Sequence, residues 1–158
     1  QSKKKVLVID TNFCNPDLTT QMNASPILEK IDTRVADHQT IVEQVKSLSK
    51  NIEGTVYAIG SEGGDYTPSE ILPRQNLLHH LQALTAEFDF IFLEGPPLND
   101  FSDSKELAQY VDGVIAIFSA TNIIKQIDKE SIGFFKELNG KFSGAVLNMV
   151  DLDNVNVT

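Results

Sequence analysis

Two acids close apolar runs in this chain. Asp10 ends VLVID, and Glu94 follows FIFL and precedes Gly-Pro-Pro. Carboxylates at the ends of buried strands suit a hard divalent cation such as Mg²⁺, which takes oxygen ligands and keeps several waters. They also suit a general base beside such an ion. Two positions beyond Asp10 stands a neutral amide, Asn12, which offers a carbonyl oxygen and no charge. Asp10 has a second reading, as the cap of the next helix or the anchor of a turn.

Other polar residues carry weaker signals. Asp103 reads as a helix N-cap. Asn148 closes the last apolar run, where an amide could read a base edge or fix its own turn. His79 and His80 are adjacent on a helical stretch and face different ways, so they make no shared metal site. Cys14 has no histidine near it in sequence and is a poor candidate for a catalytic thiol. A phosphate-cradling GxxxxGK[ST] loop is missing. The one Gly-Lys pair, Gly140-Lys141, is followed by Phe142, and Phe135 stands where the first glycine belongs.

The elements that must position these residues alternate. Residues 6–9 form a continuous, β-branched apolar run, as in a strand buried on both faces. A loop at 15–17 and a helical turn at 26–31 follow. Apolar residues at helical spacing (Ile41, Val42, Val45, Leu48) predict a helix over 37–50. Strands are expected at 54–59, 88–93, 113–118 and 143–149. Between them come a glycine loop at 60–65, a long helix over 68–87 that Pro73 kinks or divides, and helices over 102–110 and 122–138. Residues 151–158 read as a loose polar tail and 1–150 as one domain. This is an α/β chain with a doubly wound, mainly parallel sheet and helices on both faces, whose ligands bind beyond the carboxyl ends of the strands. Asp10, Glu94 and Ser119 would lie there.

Composition narrows the partners. The net charge is −9, and phosphate contacts need a basic surface, so nucleic acid is excluded as a partner. The basic run Lys3–Lys5 reads as a solvated end. One cysteine rules out an intrachain disulfide and fits a reducing compartment. No apolar run approaches the ~20 residues of a membrane-spanning helix, and no signal-peptide pattern opens the chain.

Taken in order, the motifs resemble the cytoplasmic domain of bacterial tyrosine kinases. These P-loop-derived kinases accompany polysaccharide co-polymerases in capsule and exopolysaccharide export. That family has a lysine-rich lead, an apolar strand, Asp-x-Asp-x-Arg and a proline; here the segment is KKKVLVIDTNFCNP. Its glycine loop and Pro-Ser-Glu-Leu-Leu helix start appear as VYAIGSEGGDYTPSEIL. Its Asp-x-Pro-Pro strand end appears as EFDFIFLEGPPLNDFSDS, and its last two strands as YVDGVIAIFSATN and FSGAVLNMV. Partition and cell-division ATPases share the fold.

The resemblance implies a role for each site residue. Asp10 matches the base toward a tyrosine hydroxyl. Asn12 replaces the second acid, which helps hold Mg²⁺. Glu94 stands in place of an Asp at the metal, and Asn148 lies near the adenine. The P-loop, with its strand and helix, should precede Gln1 and is not in this chain. Losing that strand should open a gap in the sheet. The family's C-terminal tyrosine cluster is also absent. The resemblance therefore implies a kinase-like domain of an exopolysaccharide, capsule or lipopolysaccharide chain-length regulator, catalytically degenerate and acting by protein contacts. It implies a membrane co-polymerase or the protein's own transmembrane region as partner, possible self-association, and a place at the cytoplasmic face of the inner membrane. Mg²⁺ and ATP or ADP belong to the native-length protein on this reading, with none expected for this chain alone. The alternatives are an active ATP-dependent tyrosine kinase whose P-loop lies upstream, and a partition-type ATPase.

Overall fold

The structure, a computed structural model, describes residues 3–31, 37–75, 77–100 and 102–151. The polar tail expected at 151–158 lies, past Asp151, outside the described residues. The chain divides into two compact units, Gln1–Pro97 and Leu98–Thr158.

The first unit is built on a four-stranded sheet in the order β2-β3-β1-β4. Its strands are β1 (Val6–Asp10), β2 (Lys50–Glu53), β3 (Val56–Ile59) and β4 (Phe90–Glu94). β1 pairs in parallel with both β3 and β4, and only β2 is antiparallel. Leu7 and Ile9 of the central strand are fully buried, as its β-branched run predicts. The pairing with β4 sets Val8 opposite Phe92 and Asp10 opposite Glu94. Thr11 extends it, donating from both its backbone N–H (3.1 Å) and its hydroxyl (2.5 Å) to the Glu94 carbonyl. The resemblance predicts a gap in the sheet, and the described strands form two separate sheets, one of four strands and one of two; within the first, β1 and β4 are directly hydrogen-bonded. Among the described residues β4 has β1 as its one strand partner, and its Phe90 and Phe92 are about half exposed.

The helices of this unit are α1 (Asp17–Gln21), α2 (His38–Leu48), α3 (Pro68–Gln75) and α4 (Leu77–Leu84), with a 3-10 turn at Leu28–Lys30. Asp37 caps α2, accepting from the Thr40 N–H at 2.8 Å, and Ile41 and Val45 are buried one turn apart. Lys4 and Lys5, expected to be solvated, make surface ion pairs with Asp89 and Glu87, and Lys46 joins Glu87 at 3.1 Å. Exposed pairs of this kind contribute little to stability.

Two expectations need correction here. Residues 50–53 form strand β2, and the predicted 37–50 helix stops at Leu48; Gly54 takes a left-handed conformation (φ +58) and turns the chain back into β3. The 15–17 loop leads into the short helix α1. Within the expected 68–87 helix, Pro68–Gln75 and Leu77–Leu84 are helical, with Pro73 inside the first stretch.

The second unit holds α5 (Asp103–Leu107), β5 (Val114–Ser119), α6 (Gln126–Glu137) and β6 (Phe142–Asn148). β5 and β6 pair in parallel, with Ile117 opposite Val146 and Ser119 opposite Asn148. Both helices are shorter than predicted. At α5 the N-cap position is Ser102, and the buried Asp103 is the first helical residue; burial pushes its carboxyl up. At α6 the Asp128 carboxylate accepts the Lys125 N–H at 2.5 Å. That bond satisfies a terminal donor and starts the helix at Gln126, after the exposed Ile123 and Ile124.

The contrast between buried and exposed apolar residues gives the first test. Ile9→Ala should cost about 2–5 kcal/mol, the range for a large-to-small change in a packed core. Phe92→Ser should cost less than about 1 kcal/mol, because Phe92 is 47% exposed. Urea unfolding of the two variants measures the difference.

Candidate functional site

The site lies at the carboxyl ends of β1 and β4. Asp10 is 1% exposed and its carboxylate is engaged on both oxygens. Oδ1 accepts the Asn12 N–H at 3.1 Å. Oδ2 accepts the Thr19 N–H at 2.8 Å and the Thr19 hydroxyl at 2.6 Å. Asp10 thus folds residues 11–19 back over the strand end, the turn-anchoring role the sequence left open for it. The Asp-Thr-Asn order serves this directly, since an Asx side chain takes the N–H two residues on.

Glu94 lies opposite, half-buried. Its carboxyl is pushed up to about 7, first by burial and then by the neighbouring negative charges of Asp10 and Asp17. Its Oε2 and the Asn12 Oδ1 are buried, and neither has a hydrogen-bond partner. Buried polar oxygens are normally paired, so a free one at the end of β4 and another just past the end of β1 leave acceptors for a ligand. Both are hard oxygen donors and fit Mg²⁺, which binds through one or two protein groups and keeps its waters. Glu94 would supply the charge and Asn12 a neutral carbonyl oxygen. Bound there, the ion would neutralise phosphate charge. Among the described residues no group of three or more His, Cys, Asp and Glu side chains forms a metal cluster.

The glycine loop walls the site. The Ser61 N–H donates to the Thr19 hydroxyl at 2.9 Å and the Gly64 N–H to the Phe13 carbonyl at 3.0 Å. A side chain on Gly60 would fall 2.5 Å from the Thr19 methyl, so that position admits no Cβ. Sequence reading missed Thr19, Ser61, Glu29 and Tyr66; nothing in their local spacing marks them, because they meet only after the chain folds.

Asn148 belongs to the second unit. It is exposed, and its Oδ1 accepts the following N–H, of Met149, at 2.9 Å, where Met149 has a positive φ of 58°. Cys14 is exposed, and the His79 side chain lies outside the described residues.

With the geometry in place, the class is that of a mainly parallel α/β domain. Solved structures carry it in bacterial tyrosine kinases. The kinase domain of Escherichia coli tyrosine kinase ETK matches with a TM-score of 0.70 at 17% identity, covering 100% of this chain and 61% of that one. The chimerical protein CapA2B2 matches with a TM-score of 0.73 at 17% identity, covering 95% of this chain and 65% of that one. In sequence, CapB of Staphylococcus aureus, named as a tyrosine-protein kinase, is 29% identical over 86 residues, which are 54% of this chain and 38% of CapB. No protein-family model matches the chain. The chain has the fold of a bacterial tyrosine kinase domain, as its motifs implied, and it spans about three-fifths of the solved kinase domain of ETK. Among the described residues no helix is long and apolar enough to cross a membrane.

Glu94 makes stability depend on pH. Its folded pKa stands above its ordinary value, so the folded state binds a proton more tightly than the unfolded state does. Stability should be highest below about pH 4.5 as far as this group is concerned, and should fall as pH rises through about 7. Thermal unfolding between pH 5 and 8 should show that decline in the parent and a flatter profile in Glu94→Gln.

Proposed function

We propose that this chain is a tyrosine-kinase-like domain of a capsule or exopolysaccharide chain-length regulator, in which the nucleotide site is degenerate and the domain works through protein contacts. The carrying observation is the acid set at the strand ends. Asp10 is committed to Thr19 and Asn12, Asn12 is neutral, and Glu94 is left as the one carboxylate there with a free oxygen. Phosphoryl transfer in this class depends on positioning and charge neutralisation by metal and cationic groups. A neutral amide at a metal position weakens that neutralisation. The partner on this reading is a membrane polysaccharide co-polymerase or a transmembrane region of the same protein, at the cytoplasmic face, with self-association possible.

One observation favours a second reading, an active kinase completed by a segment upstream. β4 has an unpaired edge among the described residues, with half-exposed aromatics along it. Its terminal Glu94 also keeps a free oxygen. In that case ATP and Mg²⁺ would be the cofactors, with Asn148 near the adenine. Asp10 would take the tyrosine hydroxyl proton as the γ-phosphoryl passes from ATP to the phenolic oxygen and ADP leaves.

A titration of the native-length protein with a fluorescent ADP analogue, with and without Mg²⁺, separates the two. The degenerate reading expects no binding at millimolar nucleotide. Tight Mg²⁺-dependent binding would overturn it and favour the active kinase, and Asn12→Asp should then strengthen the Mg²⁺ dependence about tenfold or more, the effect of about 1.4 kcal/mol of added charge interaction at the ion.

A further inference from the structure

Glu29, in the 3-10 turn, is the hub of a polar cluster outside the strand-end acids. Its carboxylate accepts the Ser61 hydroxyl at 2.5 Å, the Glu62 N–H at 2.9 and 3.0 Å, and the Tyr66 hydroxyl at 3.0 Å. All three donors belong to the glycine loop. Within that loop the Gly63 N–H donates to the Ser61 hydroxyl oxygen at 2.9 Å, and the Tyr66 hydroxyl also reaches the Gly63 carbonyl at 3.0 Å. Outside it, Lys30 pairs with Glu62 at 2.5 Å on the surface.

The same loop grips the Asp10 segment at three points. Ser61 binds Thr19, Gly64 binds the Phe13 carbonyl, and the Tyr66 ring packs on Phe13 with centroids 5.1 Å apart. A continuous hydrogen-bonded path therefore runs from Asp10 through Thr19 and Ser61 to Glu29. Bonds to a carboxylate are the stronger ones in such a network, and linked bonds reinforce one another. Burial and the bond to Glu29 push the Tyr66 hydroxyl up to about 12, so it remains a donor across the physiological range. The loop's glycines leave its backbone little stiffness of its own, so its shape is imposed by what it binds.

We infer that Glu29 is a positioning residue, a latch that holds the 60–66 loop against the 11–19 segment, which ends in the first turn of α1, so that the two walls of the site open and close as one unit. This holds whether or not the site takes nucleotide, because it rests on the loop contacts alone.

Amide hydrogen exchange on the full chain tests it, comparing the parent with Glu29→Gln and Tyr66→Phe. Glu29→Gln should speed exchange about tenfold or more at Ser61, Glu62 and Gly64, and also at Asn12 and Thr19, which do not touch Glu29. Helix α2 should exchange at the parental rate. Tyr66→Phe should give the same pattern at smaller amplitude. If Asn12 and Thr19 keep their parental rates while Glu62 speeds up, the loops move separately and the inference is overturned. It is equally overturned if α2 speeds up by the same factor as the loops in both variants, since Glu29 would then be an ordinary contributor to global stability.

Discussion

The parallel pairing of β1 with β4 is the constraint from which the site follows. Its register sets Asp10 beside Glu94, and two like charges on adjacent strand ends are costly unless one is neutralised or stabilised. The structure separates their fates. Asp10 receives three hydrogen bonds from residues 12 and 19, which engage both of its oxygens. Glu94, half-buried with an oxygen free, carries the strain as a raised pKa. One acid therefore organises the loop, and the other remains available to a proton or a cation.

The bonds to Asp10 also set how far the site's architecture extends. Thr19 turns one hydroxyl toward Asp10 and accepts the Ser61 N–H on the same oxygen. Through that atom the strand end is joined to the glycine loop, and through Ser61 to Glu29. Gly60 is required where the two loops cross, because any side chain there would strike Thr19. The site is thus a strand-end acid pair enclosed by two loops whose conformations depend on each other.

Much of this was legible in the sequence, for a physical reason. The run at residues 6–9 has no polar interruption, so a strand buried on both faces was its natural reading, and the acid closing it had to lie at a sheet edge. The spacing of Ile41, Val42, Val45 and Leu48 likewise marked α2 through local chemistry, whereas its Asp37 cap emerges only in the structure. Strand β2 was missed because KNIE carries one apolar residue and owes its strand form to β3 beside it. The helix over 122–138 was placed too early because Ile123, Ile124 and Ile127 look like a helical stripe, although all three are exposed and the Asp128 cap sets the start. Of the site, Asp10 and Glu94 could be named from position alone, and Asn12 from the family resemblance. Thr19, Ser61, Glu29 and Tyr66 could not, since their meeting depends on tertiary contacts between segments up to 42 positions apart.

Asp10 and Glu94 share one strand-end environment, in which burial first and the neighbouring Asp10 second hold the proton on Glu94. Carbon-13 NMR of the Glu94 side-chain carboxyl, followed through a pH titration in the parent and in Asp10→Asn, measures this directly. An apparent pKa near 7 is expected in the parent. A lower value that stays above the ordinary glutamate range is expected in Asp10→Asn, because burial is the larger cause. A Glu94 titration near 4.5 in the parent, unmoved by Asp10→Asn, would contradict that shared environment.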